Sequence, residues 1–471
     1  MLDILQVVVS MVSNFFWSGP LLFGILGIGL YYSVMMKFDQ WTKFGFHIKN
    51  TYATMFDKAG EGEGTVRGFA AAATAIASTI GVGNIGGAAV AITMGGPGAI
   101  FWMWMTAFLG ASTKAAEIIL GQRYRVKFET IDEYICGRQY VMKNALGWGK
   151  LASALCWTVI ISPWSIQVQT NAIARSIETA FNIHVNIGIA LVMITLGLTV
   201  AGGLRRIASV ADKVVPFMAV FFIIAAAILL SKRADRILPA LGLIVKCGFT
   251  PAAPVGGFMG ATMRQAMRFG VARGVYSNEA GMGGGMRSHA AAIVDHPVRQ
   301  ASWGFGEVFI DTIVICTLVA LTILTTDAHI LNPGVTSAQL TTIAFMDVLG
   351  PFGGYLIAIS TFLFGWTTLL SSYYGGEKSV NFLCGDTSLN KIMTKVWMVY
   401  YIGPMVFAGM STGLLWLISD TMQVIGVSSV ILTLFMTRRE VMRLHSDFWN
   451  RYLPELEAGR HPPVVSFSNK P

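Results

Sequence analysis

The sequence has few charged residues: only 13% of its 471 residues are Asp, Glu, Lys or Arg, whereas 54% are hydrophobic. Soluble domains carry about 25% charged residues, and the mean hydropathy here is +0.60. These values exclude an ordinary soluble protein and predict a polytopic protein embedded in membrane lipid. Residues 1–14 contain no Lys or Arg, so the basic start of a cleavable signal is missing. We therefore expect the first membrane segment to remain in the mature protein.

Motifs for several kinds of chemistry are also missing. The five cysteines are widely scattered without CxxC or Cys/His spacing, so no transition-metal site is predicted. No GxxxxGK[ST] motif occurs, which leaves ATP-driven chemistry unsupported. No nucleophile elbow or metal-ligand helix occurs either. We expect no enzyme activity, no catalytic residue, no organic cofactor and no obligate protein partner.

The net charge of +9 does not indicate nucleic-acid binding, because the basic residues occupy short loops between apolar segments. We predict eleven membrane spans, at about 15–37, 67–95, 97–122, 151–181, 185–204, 211–231, 257–290, 301–326, 350–376, 395–417 and 418–437. With the N-terminus outside and the C-terminus cytoplasmic, 25 of the 34 Lys and Arg residues lie in inner loops and 4 in outer loops. This asymmetry follows the positive-inside rule and supports the stated orientation of a multi-pass membrane protein. Residues 1–14 and 336–349 are expected to form amphipathic helices, and the tail from 438 to be partly disordered.

Two of these spans contain clustered glycines. The first has four glycines between Gly81 and Gly87, and each costs about 1 kcal/mol relative to alanine inside a helix. The span at 257–290 combines glycines with five charged residues. If this segment did not cross the membrane, the Lys and Arg residues of the loops would be divided almost evenly between the two sides of the membrane. The sequence therefore predicts two broken helices, which can present backbone groups to an ion or to the charged ends of an amino acid. Close helix packing through small residues is the alternative.

The two broken segments begin five spans apart, which is the spacing of two five-helix inverted repeats. We accordingly predict an all-α protein with an extra helix and loop (1–66), a first repeat (67–231), a second repeat (232–437) and a C-terminal tail (438–471). The repeat is inferred from topology, since the halves share no evident sequence identity.

Several polar side chains lie within apolar spans. Thr79 and Asn84 flank the first break, and Gln169 lies on a later helix; each could orient a polar ligand or make an ordinary helix–helix hydrogen bond. Thr367 and Thr368 follow Trp366 in the ninth span, where hydroxyl groups could hold sodium or bond to their own helix. Other charges look structural: Lys114 and Glu117 are spaced to pair, and Asp311 and Asp420 fit a hydrogen-bonded role better than a proton relay.

A set of motifs in a fixed order resembles the alanine or glycine:cation symporter family over most of the chain. The motifs are 78–85 (STIGVGNI), 95–104 (GGPGAIFWMW), 113–117 (TKAAE), 215–218 (VPFM), 270–283 (GVARGVYSNEAGMG), 295–300 (DHPVRQ) and 373–378 (YYGGEK). The resemblance implies a leucine-transporter-like fold and uptake of a small neutral amino acid, alanine or glycine foremost, driven by Na⁺ through alternating access. A proton-coupled symporter and a passive channel or facilitator remain the alternatives.

The resemblance also implies a division of the site residues. By resemblance the substrate would contact Thr79, Gly81, Gly83, Asn84, Gly274, Ser277 and Asn278. Gln169 and Trp366 join this set from their own positions in apolar spans, where Trp366 could line the substrate pocket or simply fill the core. Sodium would bind the carbonyls of Ala77 and Ile80 and the hydroxyls of Thr367 and Thr368. The chain departs from the family pattern at 284–289 (GGMRSH), where Arg287 is unusual. Because of that departure, the family pattern does not determine how the inner gate is built or which species is transported.

Overall fold

The computed structural model describes residues 2–55, 62–161, 163, 166–252, 261–460 and 462–465, and these residues are mostly helical. The helices of the first half are α1 (Leu2–Ser18), α2 (Pro20–Met35), α3 (Asp39–Thr42), α4 (Phe44–Lys49), α5 (Gly68–Thr79), α6 (Ala88–Gly95), α7 (Gly98–Arg123), α8 (Arg138–Leu146), α9 (Gly149–Ile161), α10 (Gln167–Phe181), α11 (Val185–Val200), α12 (Gly203–Ser231) and α13 (Ala234–Phe249). Those of the second half are α14 (Met263–Asn278), α15 (Gly284–Ser288), α16 (Pro297–Val308), α17 (Thr317–Thr325), α18 (Ala328–Leu331), α19 (Ser337–Leu349), α20 (Pro351–Cys384), α21 (Ser388–Ile402), α22 (Thr412–Met436), α23 (Arg438–Asp447) and α24 (Leu453–Glu457).

Short irregular helices and strands complete the described chain. Tight 3₁₀ turns lie at Tyr52–Thr54 and Gly403–Gly409, and π-helical turns at Gly83–Gly87, Phe309–Cys316 and Phe448–Tyr452. Strand β1 (Val66–Arg67) pairs in parallel with β4 (Ala292–Ile293), and β2 (Val126–Phe128) pairs antiparallel with β3 (Glu133–Ile135). The β1–β4 pair joins the chain just before the first broken helix to the chain just after the second.

Six helical stretches in the described part are long and apolar enough to cross a membrane: Val9–Met35, Gly68–Gly95, Ser209–Ser231, Pro297–Thr325, Pro351–Cys384 and Thr412–Met436. Two shorter apolar helices, Gly149–Ile161 and Val185–Val200, accompany them. The predicted multi-pass helical architecture agrees with these stretches, and the total of eleven spans stays a prediction.

Some boundaries differ from those predicted, and proline accounts for two of them. The span predicted at 151–181 is two helices, α9 and α10, on either side of Pro163. The predicted junction between 417 and 418 lies earlier, because α21 ends at Ile402 before Pro404 and α22 begins at Thr412. Proline removes a donor N–H and clashes with the preceding helical turn.

The other helical expectations can be compared directly. The helix predicted at 336–349 is present as α19, whereas the tail predicted to be partly disordered is helical as far as Glu457. The amphipathic helix predicted at 1–14 is part of α1, and from Val9 onward it belongs to an apolar stretch that reaches Met35. The span predicted at 257–290 contains α14 and α15, and its residues 257–260 lie outside the described part.

Both glycine-rich stretches interrupt their helices. After α5 the chain leaves the helix at Ile80, whose ψ is 88°, and passes through a π-helical turn into α6. After α14, Glu279, Gly281 and Gly283 take positive φ values of 55°, 96° and 81° before α15 begins. The first of these broken helices is buried within the molecule and packs against α7, α12, α14, α16, α19 and α20.

Candidate substrate and ion site

The first break is held open by two side-chain amides. The backbone N–H of Gly81 donates to Asn84 Oδ1 (2.8 Å), and the N–H of Val82 donates to Gln169 Oε1 from α10 (3.0 Å). N–H groups at the start of a helical segment have no partner inside the helix, so a nearby carbonyl oxygen must satisfy them. Asn84 and Gln169 supply those oxygens, and the positive end of the half-helix α6 points toward the break.

The amide nitrogen of Asn84 links the break to the middle of the α16–α17 segment. Asn84 Nδ2 donates to the carbonyl oxygen (3.0 Å) and to Oδ1 (2.7 Å) of Asp311, which is fully buried. The hydroxyls of Ser277 (2.9 Å) and Thr312 (2.6 Å) donate to the other Asp311 oxygen, and Asn278 Nδ2 lies 3.3 Å from the Thr312 hydroxyl. One carboxylate therefore collects donors from both broken helices.

Thr368 on α20 stands beside the first break. Its hydroxyl oxygen is 3.2 Å from the carbonyl oxygens of Ala77 and Ser78 and 3.0 Å from that of Phe364. A Cβ on Gly81 would collide with this hydroxyl, so the glycine permits the close approach. Hydroxyl and carbonyl oxygens grouped at the end of a helical segment are the ligand type that a hard cation prefers.

The other two residues expected at a sodium site are placed differently. The hydroxyl of Thr367 donates within its own helix to Leu363 O (2.9 Å) and Phe364 O (3.0 Å) and lies 3.6 Å from Met218 Sδ. Ile80 is buried at the point where α5 ends. The structure thus brings Ala77 and Thr368 together directly, whereas Thr367 faces α12.

A carboxylate from a neighbouring helix binds the second break. Glu117 on α7 accepts hydrogen bonds from the N–H groups of Gly281 (2.8 Å), Gly283 (3.0 Å) and Gly285 (3.0 Å). An anion is favourable at the start of a helical segment such as α15, where N–H groups converge. The sequence spacing predicts that Lys114 and Glu117 pair, but Lys114 Nζ lies 3.8 Å from Glu307 instead.

A cavity of about 180 Å³ lies between the two breaks. Five residues expected at the substrate or ion site line it: Thr79, Gly81, Gly83, Gln169 and Thr368. Their charge within a predicted span singles out Glu279 and Arg287, which also line the cavity. The sequence does not indicate several other residues of the wall, among them Arg138, Thr158, Tyr276, Tyr401, Ser419, Met422 and Gln423. Arg287 is unusual for the family, but aromatic, Met and Ser residues on apolar helices carry no signal that separates them from ordinary core.

The remaining expected substrate residues lie outside this wall. Gly274 allows α14 to approach Met103 and Thr106 of α7, because a Cβ there would collide with the Thr106 side chain. Ser277 and Asn278 direct their polar atoms to Asp311 and Thr312, as described above. Trp366 is 9% exposed, packs against Phe362, and its buried Nε1 has no hydrogen-bond partner in the described part of the chain.

The wall residue Tyr276 belongs to a cluster of aromatic and charged side chains. The Tyr276 ring contacts Trp416 on α22, with ring centroids 4.9 Å apart, and the Arg273 guanidinium lies 4.2 Å from a Trp416 ring centroid. Arg273 also forms a buried ion pair with Asp420, whose carbonyl oxygen accepts from Trp17 Nε1 of α1 (3.0 Å). Asp420 is thus engaged in ion pairing rather than exposed to the cavity.

Comparison with known proteins identifies the fold. The chain superimposes on the crystal structure of MhsT in complex with L-phenylalanine with a TM-score of 0.54, at 15% identity, covering 86% of this chain and 94% of that one. The chain therefore has the same type of fold, the leucine-transporter fold, in which two broken helices surround a polar cavity.

Sequence comparison then gives the family. The model of the sodium:alanine symporter family matches residues 2–462. The sodium/alanine symporter AgcS of Methanococcus maripaludis is 36% identical over 88% of this chain and 90% of its own length. The uncharacterized transporter YflA of Bacillus subtilis is 34% identical over 98% of both chains, and the probable sodium/glutamine symporter GlnT of the same species is 31% identical over 98% and 93%. The chain belongs to the sodium:alanine symporter family, whose members are transporters, and the resemblance inferred from its motifs is confirmed.

Proposed function

We propose that the chain is a sodium-coupled symporter that takes up a small neutral amino acid, alanine or glycine foremost, by alternating access. The observation that carries this proposal is the cavity at the first helix break, with the Thr368 hydroxyl against the Ala77 and Ser78 carbonyls. Oxygen ligands for a cation and a half-helix N-terminus for a carboxylate meet there. The similarity to the sodium/alanine symporter AgcS and to a putative sodium/proton-dependent alanine carrier protein supports the same assignment.

The proposed roles follow the positions of the residues. The wall residues Thr79, Gly81, Gly83 and Gln169 contact the substrate, and Trp366 bounds its space from α20. Four further residues, Asn84, Gly274, Ser277 and Asn278, shape the breaks that present the binding groups. We propose that sodium binds the carbonyl oxygens of Ala77 and Ile80 and the hydroxyl of Thr368. Thr367 now faces α12, so its hydroxyl must rotate away from that helix before it can serve as a further ligand.

Uptake into proteoliposomes tests the proposal. The purified chain should concentrate radiolabelled alanine or glycine when an inward sodium gradient is imposed, and lose this accumulation when choline replaces external sodium. A protein-free liposome preparation gives the leak. Failure to accumulate any small neutral amino acid under either a sodium or a proton gradient would overturn the proposal.

Proton coupling is the second candidate function, and the buried Asp311 is the observation that favours it. A carboxylate at membrane depth that receives donors from both broken helices could carry a proton during the cycle. In the same liposomes, accumulation driven by an inward proton gradient without sodium, and lost in Asp311→Asn, would support this candidate. Dissipation of an imposed alanine gradient without accumulation would instead indicate a passive channel or facilitator.

The topology also remains a proposal. We propose eleven spans in a prokaryotic cytoplasmic membrane, with the extra helix at 1–66, repeats at 67–231 and 232–437, and a cytoplasmic tail from 438. Single cysteines introduced into a cysteine-free background test this orientation. A cysteine at the exposed Arg443 should react with an impermeant maleimide only after the cells are opened, and reaction in intact cells would contradict it.

A further inference from the structure

The cavity holds two guanidinium groups that meet no carboxylate of the described chain. Arg138 donates to neutral acceptors: Gly426 O (3.1 Å), Leu155 O (3.3 Å) and the Thr158 hydroxyl (3.4 Å). Arg287 lies with its guanidinium against Gly375, and its buried Nε has no partner among the described residues. Arg138 is buried and Arg287 is partly buried. Charges that are removed from water are normally paired with an opposite charge, because an unpaired one is costly.

The acidic residue in the same cavity does not balance them. Glu279 accepts a hydrogen bond from the Ser78 hydroxyl through Oε1 (2.6 Å), and its Oε2 is buried without a partner in the described part of the chain. Arg138, Arg287 and Glu279 together give the cavity wall one unit of net positive charge. A zwitterionic alanine leaves that charge in place, and a bound sodium ion adds another.

We propose that this cavity also accepts an amino acid whose short side chain ends in a carboxylate, and that Arg287 binds this carboxylate. The inference rests on the proposed function, since it uses the same cavity, and it extends the substrate class to acidic amino acids of the aspartate type. The planar guanidinium fork matches a carboxylate, and such charge-assisted hydrogen bonds are about twice as strong as neutral ones. One extra negative charge on the ligand neutralises the wall.

Aspartate and asparagine provide a matched pair of ligands, because they have nearly the same shape and differ in side-chain charge. Calorimetric titration of the full-length protein in nanodiscs, with sodium present, should show aspartate binding at least about tenfold more tightly than asparagine, which corresponds to about 1.4 kcal/mol. In Arg287→Gln this preference should disappear, because aspartate affinity should fall by at least about tenfold while asparagine affinity changes less. Arg287→Lys keeps the charge and should retain part of the preference.

Controls separate binding from folding and from overall charge. Arg443→Gln removes one positive charge from an exposed side chain that pairs with Glu440, and it should keep the aspartate preference. Thermal melting of each variant in detergent shows whether it is folded. Equal affinities for aspartate and asparagine in the unmodified protein, or a preference that survives Arg287→Gln, would overturn the inference.

The same titrations distinguish this inference from the proposed function. Alanine binding without aspartate binding removes the acidic substrate class and leaves the neutral one. Aspartate binding without binding of alanine or glycine supports the role of Arg287 and argues against the neutral class. If aspartate, alanine and glycine all fail to bind in sodium, both proposals fail.

Discussion

Replacing Thr368 by valine should weaken sodium binding strongly while leaving the packing of α20 intact. Valine keeps the shape of threonine but removes the hydroxyl that lies 3.2 Å from the Ala77 and Ser78 carbonyls. Loss of one partner from a buried polar group costs about 1–3 kcal/mol. If the hydroxyl binds sodium, the sodium concentration for half-maximal uptake should therefore rise by about 5- to 150-fold.

Two neighbouring threonines make this prediction specific. Thr361 lies two turns earlier on α20, is buried, and donates to Ile357 O (2.7 Å) within its own helix; its valine variant should leave the sodium dependence unchanged. Thr367 donates to its own helix as well, so we expect Thr367→Val to shift sodium dependence less than Thr368→Val does.

The assay is sodium-dependent alanine uptake by proteoliposomes across a range of external sodium concentrations. Maximal uptake at saturating sodium serves as the check that each variant is folded and active. An unchanged sodium dependence in Thr368→Val would refute the assignment of this hydroxyl to the cation. A larger shift in Thr367→Val would mean that α20 presents Thr367 rather than Thr368 to the ion.

Three further predictions address the two breaks. Gly83→Val should reduce alanine affinity at least about tenfold, because even a Cβ would lie 3.0 Å from the Ser277 Cα; calorimetry checks it, and unchanged affinity would place the substrate elsewhere. Gln169→Leu leaves the Val82 N–H without its acceptor and should lower the affinity for alanine about tenfold. Gln167→Leu is the control: it loses only a hydrogen bond to Pro163 O and should leave the alanine affinity unchanged. Glu117→Gln weakens three bonds to the second break and should destabilise the fold by about 2 kcal/mol or more, measured as a lower melting temperature; equal melting would show that those bonds contribute little.

The helix breaks were predictable because their signal is local. Gly81 and Gly83 lie two residues apart in an apolar stretch, and glycine disfavours a helix wherever it occurs. The same reasoning found the second break, where positive φ angles at Gly281 and Gly283 require glycine. Gln169 stood out for a similar reason, since an amide in an apolar helix needs a partner.

The partners themselves were not predictable, because they depend on long-range proximity. Asn84 and Asp311 are 227 residues apart, and neither residue alone indicates that they bond. Tyr276 resembles any aromatic core residue until α14 is positioned against α10 and α22. The spacing of Lys114 and Glu117 did not show which other groups they contact: Glu117 accepts from three N–H groups at the second break, and Lys114 Nζ lies 3.8 Å from Glu307.

The hydrogen bonds between Glu117 and the second break have a consequence for how the helices can move. Three hydrogen bonds join one carboxylate on α7 to alternate glycines of the second break and the start of α15. Any tilt of α15 must therefore carry α7 with it, and α7 also packs along α14 and α16. We therefore expect α7, α14, α15 and α16 to move together, because a carboxylate in the first half of the chain holds the glycines of the second break.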